Sequence, residues 1–136
     1  MPVSWSIDPE KRLMTAVAAG VVTREDIEAF FEETTAANVA PYAKLFDGSA
    51  IETTMGPEDT LALGVRMQQL HQEGAMGPLA IVLPLHMMDL VRRMVGILAV
   101  AARPMKVFTD AAIARAWLEE KARDKHRPGK SPKPPA

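Results

Sequence analysis

The feature that most constrains the fold is a short, continuous apolar run between two prolines, PLAIVLP at Pro78–Pro84. Such a run is typical of a strand that is buried on both faces, as the central strands of parallel sheets are. A strand of this kind needs a layer of other elements on each side. The run therefore predicts an α/β domain with helices on both faces of a sheet.

The rest of the chain alternates between strand and helix patterns. Val3, Trp5 and Ile7 alternate with polar residues, which indicates a strand, and a second strand near 12–19 should form a hairpin with it. The apolar content of this second strand predicts that it is covered on both faces. Shorter strands are expected near 43–47, ending at Gly48, and near 105–108. The order is β-β-α-β-α-β-α-β-α, which predicts a four- to five-stranded mixed sheet with an antiparallel edge strand.

The helices have local start signals. Thr23 followed by Asp26 is a variant of the capping box, and Pro57 suits the first position of a helix. Asp110 should cap the last helix. The inner faces are predicted from apolar spacing, and for the last helix that face is Ile113, Ala116 and Trp117.

The composition predicts one domain and a tail. The chain has 136 residues, of which 48% are hydrophobic and 24% charged, and this is enough for one core. We expect a single domain over 1–125. The Pro- and Lys-rich residues 126–136 have too few apolar side chains to pack, so they are predicted to be disordered.

Charge and residue usage exclude several functions. The formal net charge is −1, and a nucleic-acid-binding protein would need a basic face. The chain has no cysteine, which excludes disulfides and thiolate metal sites. The first residues lack a basic region followed by an apolar run, so we expect no secretory signal, and no stretch approaches the ~20 apolar residues that span a bilayer. We expect a cytoplasmic protein without a cofactor or a bound metal.

Three segments carry a family resemblance, namely LFDGS, MGPLAIVLP and VFTDAAIARAWL. With the order of elements, they resemble the SpoIIAA-like (STAS-like) proteins of bacteria from about residue 3 to 120. The resemblance implies an α/β fold of that kind. Better-known relatives are anti-sigma-factor antagonists, in which a kinase phosphorylates a Ser on the loop after a central strand. The wider fold also resembles CRAL-TRIO lipid-binding domains, which keeps a small apolar ligand open.

The resemblance implies an interaction and switch loop over Asp47–Gly56. Asp47 matches the Asp at the end of the family's strand, while 53–56 occupy the place of the phosphorylated Ser motif, whose Asp-Ser pair is absent here. A phosphate on Thr53 or Thr54 would lie at a helix N-terminus, where backbone N–H groups favour anions. The alternative is that Thr54 or Gly56 only caps the helix. The candidate residues are Asp47, Ser49, Thr53, Thr54 and Gly56.

The carboxyl ends of the predicted strands also carry acidic residues. Asp47, Glu52 and Asp110, with Ser49 beside them, could hold a hard cation or perform acid–base chemistry. The more conservative interpretation is that Asp47 accepts hydrogen bonds from loop N–H groups and that Asp110 is a helix cap. No histidine, cysteine or lysine nucleophile accompanies them, and we therefore predict that the protein is not an enzyme.

The helix predicted near 86–101 is apolar on more than one side. Beyond its inner stripe it carries Met88, Val95 and Val100, with Arg92 toward the rim. A helix that is apolar all round is buried on both sides. In a domain of this size, the outer side predicts either a homodimer or a protein partner, unless another part of the same chain covers it.

The leading interpretation is a non-enzymatic regulatory or protein-interaction module that works through the Asp47–Gly56 loop. The alternative is a carrier or sensor of a small, apolar ligand. A hydrolase that uses the carboxylates ranks third.

If the outer side of the 86–101 helix forms a dimer interface, a Val95→Glu variant should stay folded and have half the molar mass of the wild type, because a carboxylate there would be buried unpaired. Light scattering after size exclusion measures this. A folded variant of unchanged molar mass, or a wild type that is monomeric at high concentration, contradicts the interface.

Overall fold

The protein is built around one five-stranded sheet. A computed structural model of the chain describes residues 2–52, 56–72, 77–88, 92 and 105–126. In these ranges the elements, in chain order, are β1 (Val3–Asp8), β2 (Leu13–Val21), α1 (Arg24–Ala36), β3 (Ala43–Glu52), α2 (Pro57–Gln72), β4 (Leu79–Val82), a 3-10 turn (Leu85–Met87), β5 (Met105–Phe108) and α3 (Ala111–His126).

The strands follow one another across the sheet in the order β1-β2-β3-β4-β5. β1 and β2 form an antiparallel hairpin, and every later neighbour is parallel. This confirms the predicted mixed sheet with an antiparallel edge strand. The carboxyl ends of β2, β3, β4 and β5 therefore lie at one edge of the sheet, where α/β proteins usually place functional residues.

β4 is buried on both faces, as its apolar run predicts. Leu79 and Ile81 belong to the core beneath α1 and α2, whereas Ala80 and Val82 belong to the core beneath α3. The alternation follows from the period of two along a strand. Each core has its own strand residues, Met14, Ala16 and Ala18 in the first and Leu13, Ala43 and Leu45 in the second.

The start of α1 is the predicted capping box. The Asp26 N–H donates to Thr23 Oγ1 at 3.2 Å, and the Thr23 N–H donates to Asp26 Oδ2 at 2.9 Å. Ile27 and Phe30 are buried on the inner side of this helix. The local chemistry of two side chains thus fixes where α1 begins and which side it turns to the sheet.

The inner face of α3 differs from the prediction. Ala114 and Leu118 are fully buried against the sheet, whereas Ile113 and Ala116 are exposed. Trp117 is half-buried and packs beside Phe108, with ring centroids 5.7 Å apart. One residue along a helix corresponds to a rotation of about 100°. The inner face of α3 therefore lies about one residue further along the helix than the predicted face.

β2 was predicted to be covered on both faces, but one of its faces is exposed from Val17 to Val21. α3 packs against β3, β4 and β5. The side chains of Val17 and Val21, which point to the face that α3 covers elsewhere, are 45% and 62% exposed. The prediction failed because the position of α3 across the sheet decides the burial of β2.

Lys44 is a buried cation at the start of β3, with 7% of its surface exposed. Its ammonium donates to the carbonyl oxygens of Ala40 at 2.7 Å and Tyr42 at 3.0 Å. A buried charge is tolerated only when its donors are used. These bonds fix the connection from α1 into β3.

The predicted helix 86–101 falls largely outside the described residues. What is described is the 3-10 turn, followed by Met88 and Arg92 in helical conformation. α3 ends at His126, one residue into the predicted tail, and 127–136 lie outside the description.

Candidate functional site

β3 does not end at Gly48 as predicted but continues to Glu52. Its register with β2 shifts on the way, since Val17 pairs with Asp47 but Ala19 pairs with Ala50. Two residues of β3, Gly48 and Ser49, therefore oppose the single residue Ala18. This is a β-bulge, a feature that re-aims side chains and is frequent beside functional sites.

The side chain of Asp47 stabilises the bulge. Its Oδ1 accepts the Ser49 N–H at 3.1 Å and the Ser49 hydroxyl at 2.7 Å. The Asp47 carboxylate thereby accepts a hydrogen bond from a backbone N–H at the point where the bulge interrupts the pairing of β2 with β3. Asp47 is half-buried and Ser49 is exposed. The result is a fixed, solvent-facing hydroxyl at the carboxyl side of the sheet.

Gly48 lets β3 approach the end of β4. A methyl group at this position would lie 3.0 Å from Leu83 Cδ2 and 3.1 Å from the Val82 carbonyl oxygen. Both contacts are tighter than ordinary van der Waals distances. Packing against β4, and not a break of the strand, is thus the reason for a glycine here.

The predicted carboxylate cluster is divided by local bonds. Asp110 caps α3, because its Oδ1 accepts the N–H groups of Ala112 at 2.8 Å and Ile113 at 3.1 Å. Asp47 accepts hydrogen bonds from Ser49, and Glu52 is exposed at the end of β3, where its backbone is in register with Val21. The described ranges contain no group of three or more His, Cys, Asp or Glu side chains that could hold a metal ion.

An exposed apolar surface adjoins the bulge, and the sequence pattern did not predict it. The apolar strip, as we call it, consists of Val17, Ala19, Val21 and Ala50, all of which are exposed. These residues share one sheet face, because Ala16 and Ala18 between them point into the opposite core. The apolar residues at 17, 19 and 21 mark this face in the sequence, but an apolar strand face predicts burial and not exposure.

Comparison with known proteins identifies one similar structure. It is the crystal structure of an uncharacterised protein from the DUF3478 family, with a SpoIIAA-like fold, from Shewanella loihica PV-4. The match has a TM-score of 0.57 and 19% sequence identity, and covers 85% of this chain and 93% of the other. This chain has a SpoIIAA-like fold. No family profile and no curated protein matches its sequence.

The predicted switch loop Asp47–Gly56 is not a loop along its whole length, because residues 47–52 belong to β3. Asp47 and Ser49 lie within β3, whereas Thr53 and Thr54 lie outside the described residues. Gly56 directly precedes α2, and its carbonyl oxygen accepts the N–H and the hydroxyl of Thr60, both at 3.1 Å. The phosphorylation of Thr53 or Thr54 stays a prediction.

An ion pair ties the start of α2 to α1 beside this loop. Arg24 Nε lies 3.0 Å from Glu28 Oε1, and Arg24 Nη1 lies 3.6 Å from Asp59 Oδ1. The hydrogen bond to Glu28, followed by the charges of Glu28 and Asp59, raises the pKa of Arg24 above its usual value. All three side chains are well exposed to solvent, so the network positions the helices more than it stabilises them.

Two of the four predicted dimer residues are described. Met88 is half-buried and Arg92 is exposed, while Val95 and Val100 lie outside the described ranges. The predicted interface therefore stays a prediction. None of the helices in the described part of the chain is long and apolar enough to cross a membrane.

The role of Asp110 as a cap can be tested by two substitutions. Asp110→Ala should lower the free energy of unfolding by about 1 kcal/mol, because two N–H groups lose their acceptor. Asp110→Asn should change it by less than about 0.5 kcal/mol, because Asn caps equally well. Urea denaturation measures both. If Asp110 instead belonged to a crowded carboxylate cluster, the neutral Asn would stabilise the protein.

Proposed function

We propose that this protein is a non-enzymatic regulatory module that binds another protein. Its working surface comprises the Asp47–Gly56 segment and the adjoining apolar strip. The SpoIIAA-like fold and the resemblance to anti-sigma-factor antagonists, which act by binding other proteins, support this proposal. So does the division of the carboxylates by separate local bonds, since acid–base catalysis needs groups that converge on one substrate.

The exposure of the apolar strip is the observation that carries the proposal. Val17 and Val21 are 45% and 62% exposed on a sheet face where an α/β domain normally has a covering layer. Asp47 and Ser49 provide a polar border beside them. An apolar centre with a polar rim is the anatomy of a protein–protein interface. A protein partner would cover the part of β2 that α3 leaves exposed.

The alternative, a carrier of a small apolar ligand, has weaker support. One cavity among the described residues lies between β1 and α1 and has a volume of about 50 Å³. Pockets for drug-sized ligands are typically about 300–1,000 Å³. This cavity is therefore too small to enclose such a ligand.

The proposal predicts that a charge in the strip abolishes partner binding. Val21→Lys should remove a partner that the wild type retains from its native lysate, because the ammonium would be buried in the interface. Val65→Lys is the matched control. Val65 is also an exposed valine, at 43% against 62% for Val21, but it lies on α2, over the opposite sheet face. Quantitative mass spectrometry of the captured proteins gives the comparison.

Both variants must melt as the wild type does, which circular dichroism establishes. A partner that is lost only from Val21→Lys supports the proposed surface. Partners retained by Val21→Lys, or lost equally from both variants, contradict it. The captured partner is then purified and its affinity for each variant measured, so that indirect capture is excluded.

The regulatory part of the proposal predicts that negative charge at Thr54 weakens the same complex. Thr54→Glu imitates part of the charge of a phosphate, whereas Thr54→Val removes the hydroxyl without adding charge. We expect Thr54→Glu to raise the dissociation constant about tenfold and Thr54→Val to change it less than twofold. Equal affinities for both variants, with no phosphate on the native protein by mass analysis, contradict the switch.

A further inference from the structure

Within the described part of the chain, the outer edge of β1 has backbone hydrogen-bonding groups without a partner. β1 is an end strand of the sheet. The Ala19 N–H donates to the Pro2 carbonyl at 2.9 Å, and the register pairs Ser4 with Val17. Because the hydrogen-bonded pairs of an antiparallel ladder alternate, the N–H and C=O groups of Trp5 and Ile7 point away from β2. They lie in position to pair with a further strand.

The sequence of β1 does not protect this edge. Proteins commonly block edge strands with lysine, proline or a bulge. The segment VSWSID contains neither lysine nor proline, and its register with β2 is regular throughout. Ile7, at 37% exposure, adds apolar surface on the side that faces α1. The edge is therefore open to strand addition.

A shallow groove accompanies the edge. It lies between β1 and α1, has a volume of about 50 Å³, and has apolar walls that include Val3, Ala29 and Phe30. Asp26 and Glu33 also line it, seven residues apart on α1. The Trp5 indole N–H donates to Glu33 Oε1 at 3.2 Å, which holds the Trp5 ring beside the groove. The volume is sufficient for one aliphatic side chain.

The charge of α1 determines what kind of strand fits. The helix carries the acidic residues Glu25, Asp26, Glu28, Glu32 and Glu33, and its basic residue, Arg24, is engaged with Glu28 and Asp59. A second copy of the chain, paired through β1 about a two-fold axis, would bring Asp26 of one α1 near Glu33 of the other. Like charges at such an interface lower the affinity. A basic segment would instead be attracted by the carboxylates of α1.

We infer that β1 receives an extended, basic segment of a partner protein as a sixth strand. The segment pairs with the outward groups of Trp5 and Ile7, places one apolar side chain in the groove, and directs a lysine or arginine to Asp26 and another to Glu33. These carboxylates are about 10 Å apart along the helix, and residues i and i+4 of a strand are about 13 Å apart, a difference that long basic side chains bridge. This surface is separate from the apolar strip and does not depend on it.

The probe is the fluorescein-labelled peptide Thr-Lys-Thr-Val-Thr-Lys-Thr, blocked at both ends, titrated with the full-length protein. Its lysines and valine share one side of a strand. Fluorescence anisotropy should show saturable binding. The peptide Thr-Glu-Thr-Val-Thr-Glu-Thr should bind at least about tenfold more weakly, because its charges are repelled by α1. Equal binding of both peptides, or none, overturns the inference.

Two protein variants separate the groove from general attraction to α1. Glu33→Lys should weaken binding about tenfold, whereas Glu32→Lys should do so less than threefold. Both replace an exposed glutamate of α1, but only Glu33 is among the residues that line the groove. Equal weakening would show a non-specific charge effect and overturn the proposed position.

Amide hydrogen exchange by NMR tests strand addition itself. With saturating lysine peptide, exchange at Trp5 and Ile7 should slow by about tenfold or more, because their N–H groups become paired. Exchange at Ser4 and Ser6, which already point to β2, should not change. Uniform slowing along β1 overturns the pairing. The inference is also overturned if the free protein has twice the molar mass of one chain and the peptide halves it. That result would mean that the β1 edge pairs with a second copy of the chain.

Discussion

The burial of β4 on both faces is the constraint on which the rest of the structure depends. Four consecutive apolar residues, Leu79–Val82, alternate between two cores. Burying them is favourable by roughly 25 cal/mol for each Å² of apolar surface, but only if both faces of the strand are covered. α1 and α2 on one side and α3 on the other provide this cover, and the parallel arrangement of β2 to β5 follows from their connections.

The cover is uneven, and this unevenness produces the surfaces that we assign to function. α3 begins at the Asp110 cap and packs over β3, β4 and β5. The carboxyl-terminal half of β2, from Val17 to Val21, therefore stays uncovered on that face. On the other face, α1 leaves a narrow groove along β1. The β1–β2 hairpin therefore carries both surfaces. A partner on the apolar strip and a strand on the β1 edge would occupy different sides of it.

The sequence predicted the features that short stretches of chain determine. The order of the strands and of the described helices, the buried β4 and the Thr23 cap follow from local pattern and local hydrogen bonding. The features that it did not predict depend on residues that are distant in sequence. Gly48 predicts a strand end, but the pairing of β3 with β2 makes it part of a bulge, and the closeness of Leu83 leaves little room for a side chain there. Ile113 and Leu118 are equally apolar, so only the position of α3 on the sheet decides which one is buried. The exposure of the apolar strip depends on that same position.

The solvent exposure of valine methyl groups tests the account most directly. NMR with a soluble paramagnetic agent would compare Val17 and Val21 in the strip with Val22 and Val82 in the cores, which are at most 1% exposed. We predict strong broadening at Val17 and Val21 and little at the other two, because the agent reaches only uncovered methyl groups. Equal protection of all four valines would show that the strip is covered in the free protein, and the proposed interaction surface would be wrong.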